Sequence, residues 1–158
     1  NFSNGKLVSR THFARAIIKA GHASTISNVF RKFLVKGKPG YVKDTWASLP
    51  EAIHWVKSSG GQAVIAHPAK YRISRAKLRS LLRDFKNFGG EGLEVISGCY
   101  DQNEEKNLAK LANEFNLLGS IGSDYHGPDK PWIKLGKLPE FSPICRPIWH
   151  DWASRHQI

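Results

Sequence analysis

Leu117-Leu118-Gly119-Ser120-Ile121-Gly122-Ser123-Asp124-Tyr125-His126-Gly127-Pro128 passes from an apolar run through a small glycine-rich turn to an Asp and a His two residues apart. The apolar half has the length and character of a short buried strand. In extended or turn backbone, positions i and i+2 point the same way, so Asp124 and His126 can converge on one point. A carboxylate beside an imidazole is a usual ligand pair for a first-row metal. The arrangement recurs upstream, where Ala63-Val64-Ile65-Ala66 runs straight into His67-Pro68. Two strands that each end in potential ligands imply a metal site at one end of a sheet.

The surrounding sequence supplies the rest of that sheet. Leu49-Pro50-Glu51-Ala52 opens a helix with Pro and an acid in its first turn, and Gly60-Gly61 closes it. Residues 62–66 read as a strand. Ser74 can cap a helix carrying Leu78, Leu81, Leu82 and Phe85 at helical spacing, which ends at Gly89-Gly90. Residues 92–96 form the next strand. Asp101 can cap a third helix with Leu108, Leu111, Ala112 and Phe115, which leads into the strand at 117–121. Strands alternating with helices over short connections predict βαβ units and a parallel sheet, the α/β class. The first 48 residues differ. Residues 12–20 and 24–35 read as two short helices joined at Gly21, followed by the basic turn Lys36-Gly37-Lys38-Pro39-Gly40-Tyr41. This is the pattern of a small helical insert. Past Pro128 the chain is irregular, with Trp132, Leu135, Leu138, Trp149 and Trp152 available for packing.

At 158 residues, with 41% hydrophobic and 23% charged, the chain suffices for one domain with a real core. No apolar stretch approaches the ~18 residues needed to span a bilayer, and there is no signal-peptide pattern. Cys99 and Cys145 have no zinc-finger spacing and cannot build a disulfide framework, so a cytoplasmic setting is expected. The net charge of +11 favours an anionic partner such as a nucleotide or nucleic acid. The chain begins Asn1-Phe2-Ser3 and contains no Met, from which a fragment lacking its true N-terminus is expected.

In parallel α/β sheets and barrels, active sites form at the C-terminal ends of strands. His67, Ser97-Gly98, Asp124 and His126 all follow predicted strands. Each also has a plain structural reading: His67 as a strand-ending turn residue before Pro68, Asp124 as a turn former or helix cap.

Five segments carry a resemblance beyond position: Thr11-His12-Phe13-Ala14-Arg15; Ala66-His67-Pro68 with Lys70-Tyr71; Gly92-Leu93-Glu94-Val95; Gly122-Ser123-Asp124-Tyr125-His126; and Trp132 with Leu135-Gly136. In this order they resemble the polymerase and histidinol phosphatase (PHP) family. The similarity is to the branch of nucleoside 3′,5′-bisphosphate phosphatases and 5′→3′ exoribonucleases of short RNA. It extends over almost the whole chain, including Cys145-Arg146-Pro147-Ile148-Trp149. The resemblance implies the C-terminal part of a distorted (β/α)7 PHP barrel, with residues 1–12 and 49–158 in the barrel and 13–48 as a helical insertion. It assigns metal-ligand roles to His12, His67, Asp124 and His126 around two or three divalent ions, with manganese expected and zinc, iron or magnesium as alternatives. Family members open with a His-x-His pair, an Asp, a further His and a Glu that have no counterpart here. The isolated chain, short of opening strands and several ligands, is therefore expected to be inactive.

The chemistry implied is hydrolysis by a metal-activated water attacking phosphorus in line, with Asp124 as the residue that orients or deprotonates it. Lys70 is expected to hold substrate phosphate, at a position where relatives often carry Arg and its bidentate fork. Arg31 and Lys32, with Lys38, are candidates for nucleotide or RNA contacts, and Tyr71 could stack on a base. A solvated charge or a packing role is the alternative for each. His22, His54, His150 and His156 lack partners at ligand spacing, and Cys99 reads as a buried thiol. Glu94 could support a ligand histidine or join a core salt bridge. Two other functions compete: a non-catalytic basic module that binds nucleic acid, and another PHP chemistry such as histidinol-phosphate hydrolysis or polymerase-associated proofreading.

Overall fold

The computed structural model describes residues 8–43, 46–98, 101–125 and 134–152. The chain divides into two compact units, Asn1–Trp46 and Ala47–Ile158.

The first unit is helical, as its sequence implies. Helix α1 (Arg10–Lys19) is followed by α2 (Ile26–Val29), which continues into a π-helical turn at Phe30–Leu34. Thr25 caps α2 by accepting the Asn28 N–H at 3.1 Å. Ala14, Val29 and Leu34 are buried at the centre, with Ile17, Ile18, Phe30 and Phe33 packed around them. Because α1 starts at Arg10, the expected boundary of the insert at residue 13 falls inside a helix and places His12 in its first turn.

The second unit is a three-stranded parallel sheet in the order β1 (Val64–Ile65), β2 (Gly92–Ser97), β3 (Leu118–Gly122). Helix α3 (Leu49–Ser58) precedes β1, α4 (Arg75–Asn87) joins β1 to β2, and α5 (Gln102–Glu114) joins β2 to β3. The caps are those expected: Ser74 accepts the Lys77 N–H and Asp101 accepts the N–H groups of Asn103 and Glu104. At α3, the Glu51 carboxylate accepts the Ser48 N–H at 2.9 Å. Strand β1 is shorter than the expected 62–66, with only two residues in the ladder.

Leu93 and Val95 point to the helical side. There they join Ile53 of α3, Leu82 and Phe85 of α4, and Leu108, Ala109 and Ala112 of α5 in one buried cluster. Gly92 and Glu94 belong to the opposite face. Val64 pairs with Gly92 and Glu94 with Ser120, and a bulge between Glu94 and Ile96 shifts the register before the strand ends. Among the described residues no helix is long and apolar enough to cross a membrane.

The chain past β3 returns to cover this strand. Gly119 bridges to Pro147, its N–H donating to the Arg146 carbonyl at 2.8 Å. Gly119 has to be glycine: a Cβ there would lie 2.6 Å from Cys145 Sγ and 2.7 Å from the Phe141 ring. Burial, and then the negative charge of Glu105, push the Cys145 thiol up from its ordinary 9.0 to about 11. At pH 8 its thiolate should be about a hundredfold scarcer than that of an unperturbed cysteine. In a Cys99→Ser background, iodoacetamide should alkylate Cys145 about a hundredfold more slowly in the native than in the unfolded chain. Equal rates would show that the thiol is not buried. Since the unfolded thiol ionises first, the contribution of Cys145 to stability is intact below pH 9.0 and is lost as the pH rises towards about 11.

Candidate metal and phosphate site

Parallel strands bring their C-terminal ends to one edge, where three connections meet. After β1 the chain turns at His67, whose backbone is left-handed (φ 36°, ψ 55°), and Pro68 starts a single 3₁₀ turn, Pro68–Lys70. A non-glycine residue in this conformation costs about 1–2 kcal/mol. The His67 N–H donates to Glu94 Oε2 at 2.5 Å, across to the middle strand. Its ring meets Tyr71 edge-on, centroids 6.2 Å apart and planes at 86°. His67 Nδ1 is buried with no hydrogen-bond partner among the described residues, and so is Ser97 Oγ at the end of β2.

After β3 the chain turns at Asp124, again left-handed (φ 52°). Of the two backbones expected there, extended and turn, the left-handed value excludes the extended one at Asp124. His126, its expected partner two residues on, lies outside the described residues. The Asp124 carboxylate, mostly shielded from solvent, forms an ion pair with the Lys70 ammonium. Gly98, after β2, sits under this pair: a Cβ there would lie 3.5 Å from Asp124 Cβ and 3.8 Å from Lys70 Nζ. The Gly98 N–H donates to the Gly122 carbonyl at 3.0 Å, which ties the second and third strand ends together.

The edge thus collects His67, Lys70, Tyr71, Glu94 and Asp124. Burial, with the negative charge of Glu94 second, raises the Tyr71 pKa above its ordinary 10.0, so the phenol stays neutral at physiological pH. The expected sites His12, Arg31 and Lys32 belong to the first unit. There His12 Nδ1 accepts the Ser9 N–H at 2.9 Å and stands 2.8 Å from Ser9 Oγ, closing the N-terminus of α1. Arg31 Nη2 donates to Asn28 Oδ1 at 2.8 Å, and Lys32 is exposed. Among the described residues no three His, Cys, Asp or Glu side chains cluster tightly enough to hold a metal ion. The donor chemistry at the strand ends nonetheless fits one. An imidazole with a buried, unpartnered nitrogen lies one turn before a lysine that holds a carboxylate. Sequence reasoning placed Ser97-Gly98 at a strand end and Gly122 in the glycine-rich turn, but not the contacts that each makes there. Their signal was glycine directly at a strand end.

The left-handed backbone at His67 has a measurable consequence. His67→Gly should be more stable than His67→Ala by about 1 kcal/mol in urea unfolding, because only glycine adopts that conformation without a steric cost. Equal stabilities would show that the turn relaxes when the ring is removed.

No protein-family model matches the chain. It is 42% identical to a 3′,5′-nucleoside bisphosphate phosphatase of Chromobacterium violaceum, over 96% of this chain and 53% of the relative. It is 39% identical to a 5′-3′ exoribonuclease of Salmonella typhimurium, over 95% of this chain and 51% of the relative. Two solved structures superpose on it. One is an amidohydrolase from Chromobacterium violaceum, with a TM-score of 0.81 and 42% identity over 94% of this chain and 51% of that one. The other, from Bifidobacterium adolescentis, is described as a metal-dependent phosphoesterase, with a TM-score of 0.65 and 30% identity over 87% of this chain and 48% of that one. The chain therefore spans about half the length of the proteins it matches. Over that half it is a homologue of bacterial 3′,5′-nucleoside bisphosphate phosphatases and 5′-3′ exoribonucleases, the branch that its motifs resemble.

Proposed function

We propose that the protein is a cytoplasmic, metal-dependent phosphoesterase that removes phosphate from nucleoside 3′,5′-bisphosphates or acts on the 5′ ends of short RNA. One observation carries this reading: two ligand-type residues, His67 and Asp124, both occupy a costly left-handed backbone at the ends of parallel strands, with Lys70 bound to one of them. Strain of this kind clusters at active sites and ligand clamps, which supports a functional reading of this edge. The names of the relatives supply the substrate class.

In this reading His67 and Asp124, with His126, are ligands for divalent ions within a PHP-type barrel. Mixed imidazole and carboxylate donors suit manganese, zinc or iron better than magnesium alone. When bound, such ions neutralise phosphate charge and lower the pKa of a water. Lys70 neutralises Asp124 when that carboxylate has no other cation and offers its ammonium to a phosphate oxygen when it has one. Asp124 orients the attacking water and can accept its proton. Water adds to phosphorus in line as the ester oxygen departs with a proton, so no protein nucleophile is needed. Tyr71, neutral, presents a ring face to a base, and Arg31 and Lys32 meet the phosphate backbone.

Calorimetric titration of the chain with manganese tests the metal reading directly. His67→Ala and Asp124→Asn should each weaken binding at least about tenfold. Oligonucleotide affinity at fixed salt should stay within about threefold, because it rests on distributed charge. Any phosphate released from a 3′,5′-bisphosphate should require manganese and vanish in both variants. Unchanged manganese affinity in both would instead identify a basic nucleic-acid-binding module.

A further inference from the structure

We propose that Glu94 is a positioning residue, whose carboxylate on the middle strand fixes the backbone turn at His67 and so sets the direction of the imidazole. The inference rests on the reading of His67 as a metal ligand.

Glu94 is an unusual residue for its place. It stands between the buried Leu93 and Val95 in the central strand of a parallel sheet, where strands normally read as continuous apolar runs. A half-buried carboxylate is retained there only if its oxygens are used. A core salt bridge does not use them: no lysine or arginine among the described residues pairs with Glu94. Instead, Oε2 accepts the His67 main-chain N–H at 2.5 Å. Oε1 lies against Gly122 at the end of the third strand, where a Cβ would come within 2.6 Å of it. One side chain on the middle strand therefore reaches the turn after β1 and the glycine two residues before Asp124.

This arrangement accounts for three otherwise separate facts. The left-handed turn at His67 is held by a charge-assisted hydrogen bond, stronger than a neutral one. Gly122 is glycine because the carboxylate occupies the space of a side chain. The bulge in β2 directly follows Glu94, re-aiming the strand end beyond it. Tyr71, edge-on to the His67 ring, feels the same negative charge. Glu94 acts through the backbone of His67, so a neutral acceptor of the same shape can replace it.

The test uses the chain labelled with ¹⁵N-histidine, in which seven histidines give an uncrowded amide spectrum. The His67 amide should be displaced downfield and protected from hydrogen exchange. Glu94→Gln should keep both features, with its amide oxygen as acceptor. Glu94→Ala should return the resonance to the range of the other histidines and speed its exchange at least about tenfold. Manganese affinity should fall about 10- to 100-fold in Glu94→Ala and change less than about threefold in Glu94→Gln. Gly122→Ala, which displaces the carboxylate from the opposite strand, should reproduce the Glu94→Ala spectrum if that variant does not fold. A His67 amide unmoved in Glu94→Ala overturns the proposal, as does a Glu94→Gln variant that behaves like Glu94→Ala. If the amide responds as stated but the parent chain binds no manganese, the metal reading fails while the positioning of His67 stands.

Discussion

The parallel pairing of three strands is the constraint from which the rest of the structure follows. Parallel strands need a helix to return the chain each time, so α4 and α5 are forced to one layer and bury Leu82, Phe85, Leu108 and Ala112 against Leu93 and Val95. The same pairing forces the three strand ends to the same edge. Residues 67, 98 and 124 meet there although 26 to 31 residues separate neighbours in the sequence, and no local propensity could have brought them together. The ladder also accounts for the small residues at the third strand, where Gly119 admits the returning 145–147 segment and Gly122 admits the Glu94 carboxylate.

Strand ends are also where the fold tolerates strain. Three non-glycine residues among those described have positive φ: His67, Asn116 and Asp124. Asn116 closes α5, a place where asparagine is a common left-handed cap, so it has an ordinary structural reason. His67 and Asp124 stand at strand ends rather than at a helix end, and each is held by a long-range partner. Glu94 grips the backbone of His67 and Lys70 grips the side chain of Asp124. The strain is therefore offset by interactions within the candidate site, which couples its geometry to the stability of the turns that build it.

The helices and strands of both units were legible because their signals are local. Caps at Ser74 and Asp101, glycine pairs after α3 and α4, and apolar spacing along α5 each act within a few residues. What escaped the sequence was long-range. Nothing near Lys70 announces Asp124, 54 residues away, and for Glu94 the sequence leaves support of a ligand histidine and a core salt bridge as alternatives that only the placing of His67, 27 residues back, separates. Strand β1 is two residues long rather than five for a related reason: the chain turns left-handed at His67, whose N–H goes to the Glu94 side chain rather than to the ladder. At Asp124 the two-residue periodicity of extended chain does not apply, because the backbone there is left-handed.

The two histidines described at expected ligand positions differ in how their ring nitrogens are used. At His12, Nδ1 accepts a main-chain N–H, so its lone pair is already used and the ring proton must sit on Nε2. Ligation through Nε2 would require that proton to leave or to move to Nδ1, where it could be donated only to Ser9 Oγ, at the cost of the helix cap. At His67 the opposite holds. The backbone N–H is satisfied by Glu94, while Nδ1 is buried without a partner among the described residues. Ligation at His12 would therefore cost an existing hydrogen bond, whereas at His67 it would supply a missing one, and the proposed metal role draws its support from the second ring rather than the first.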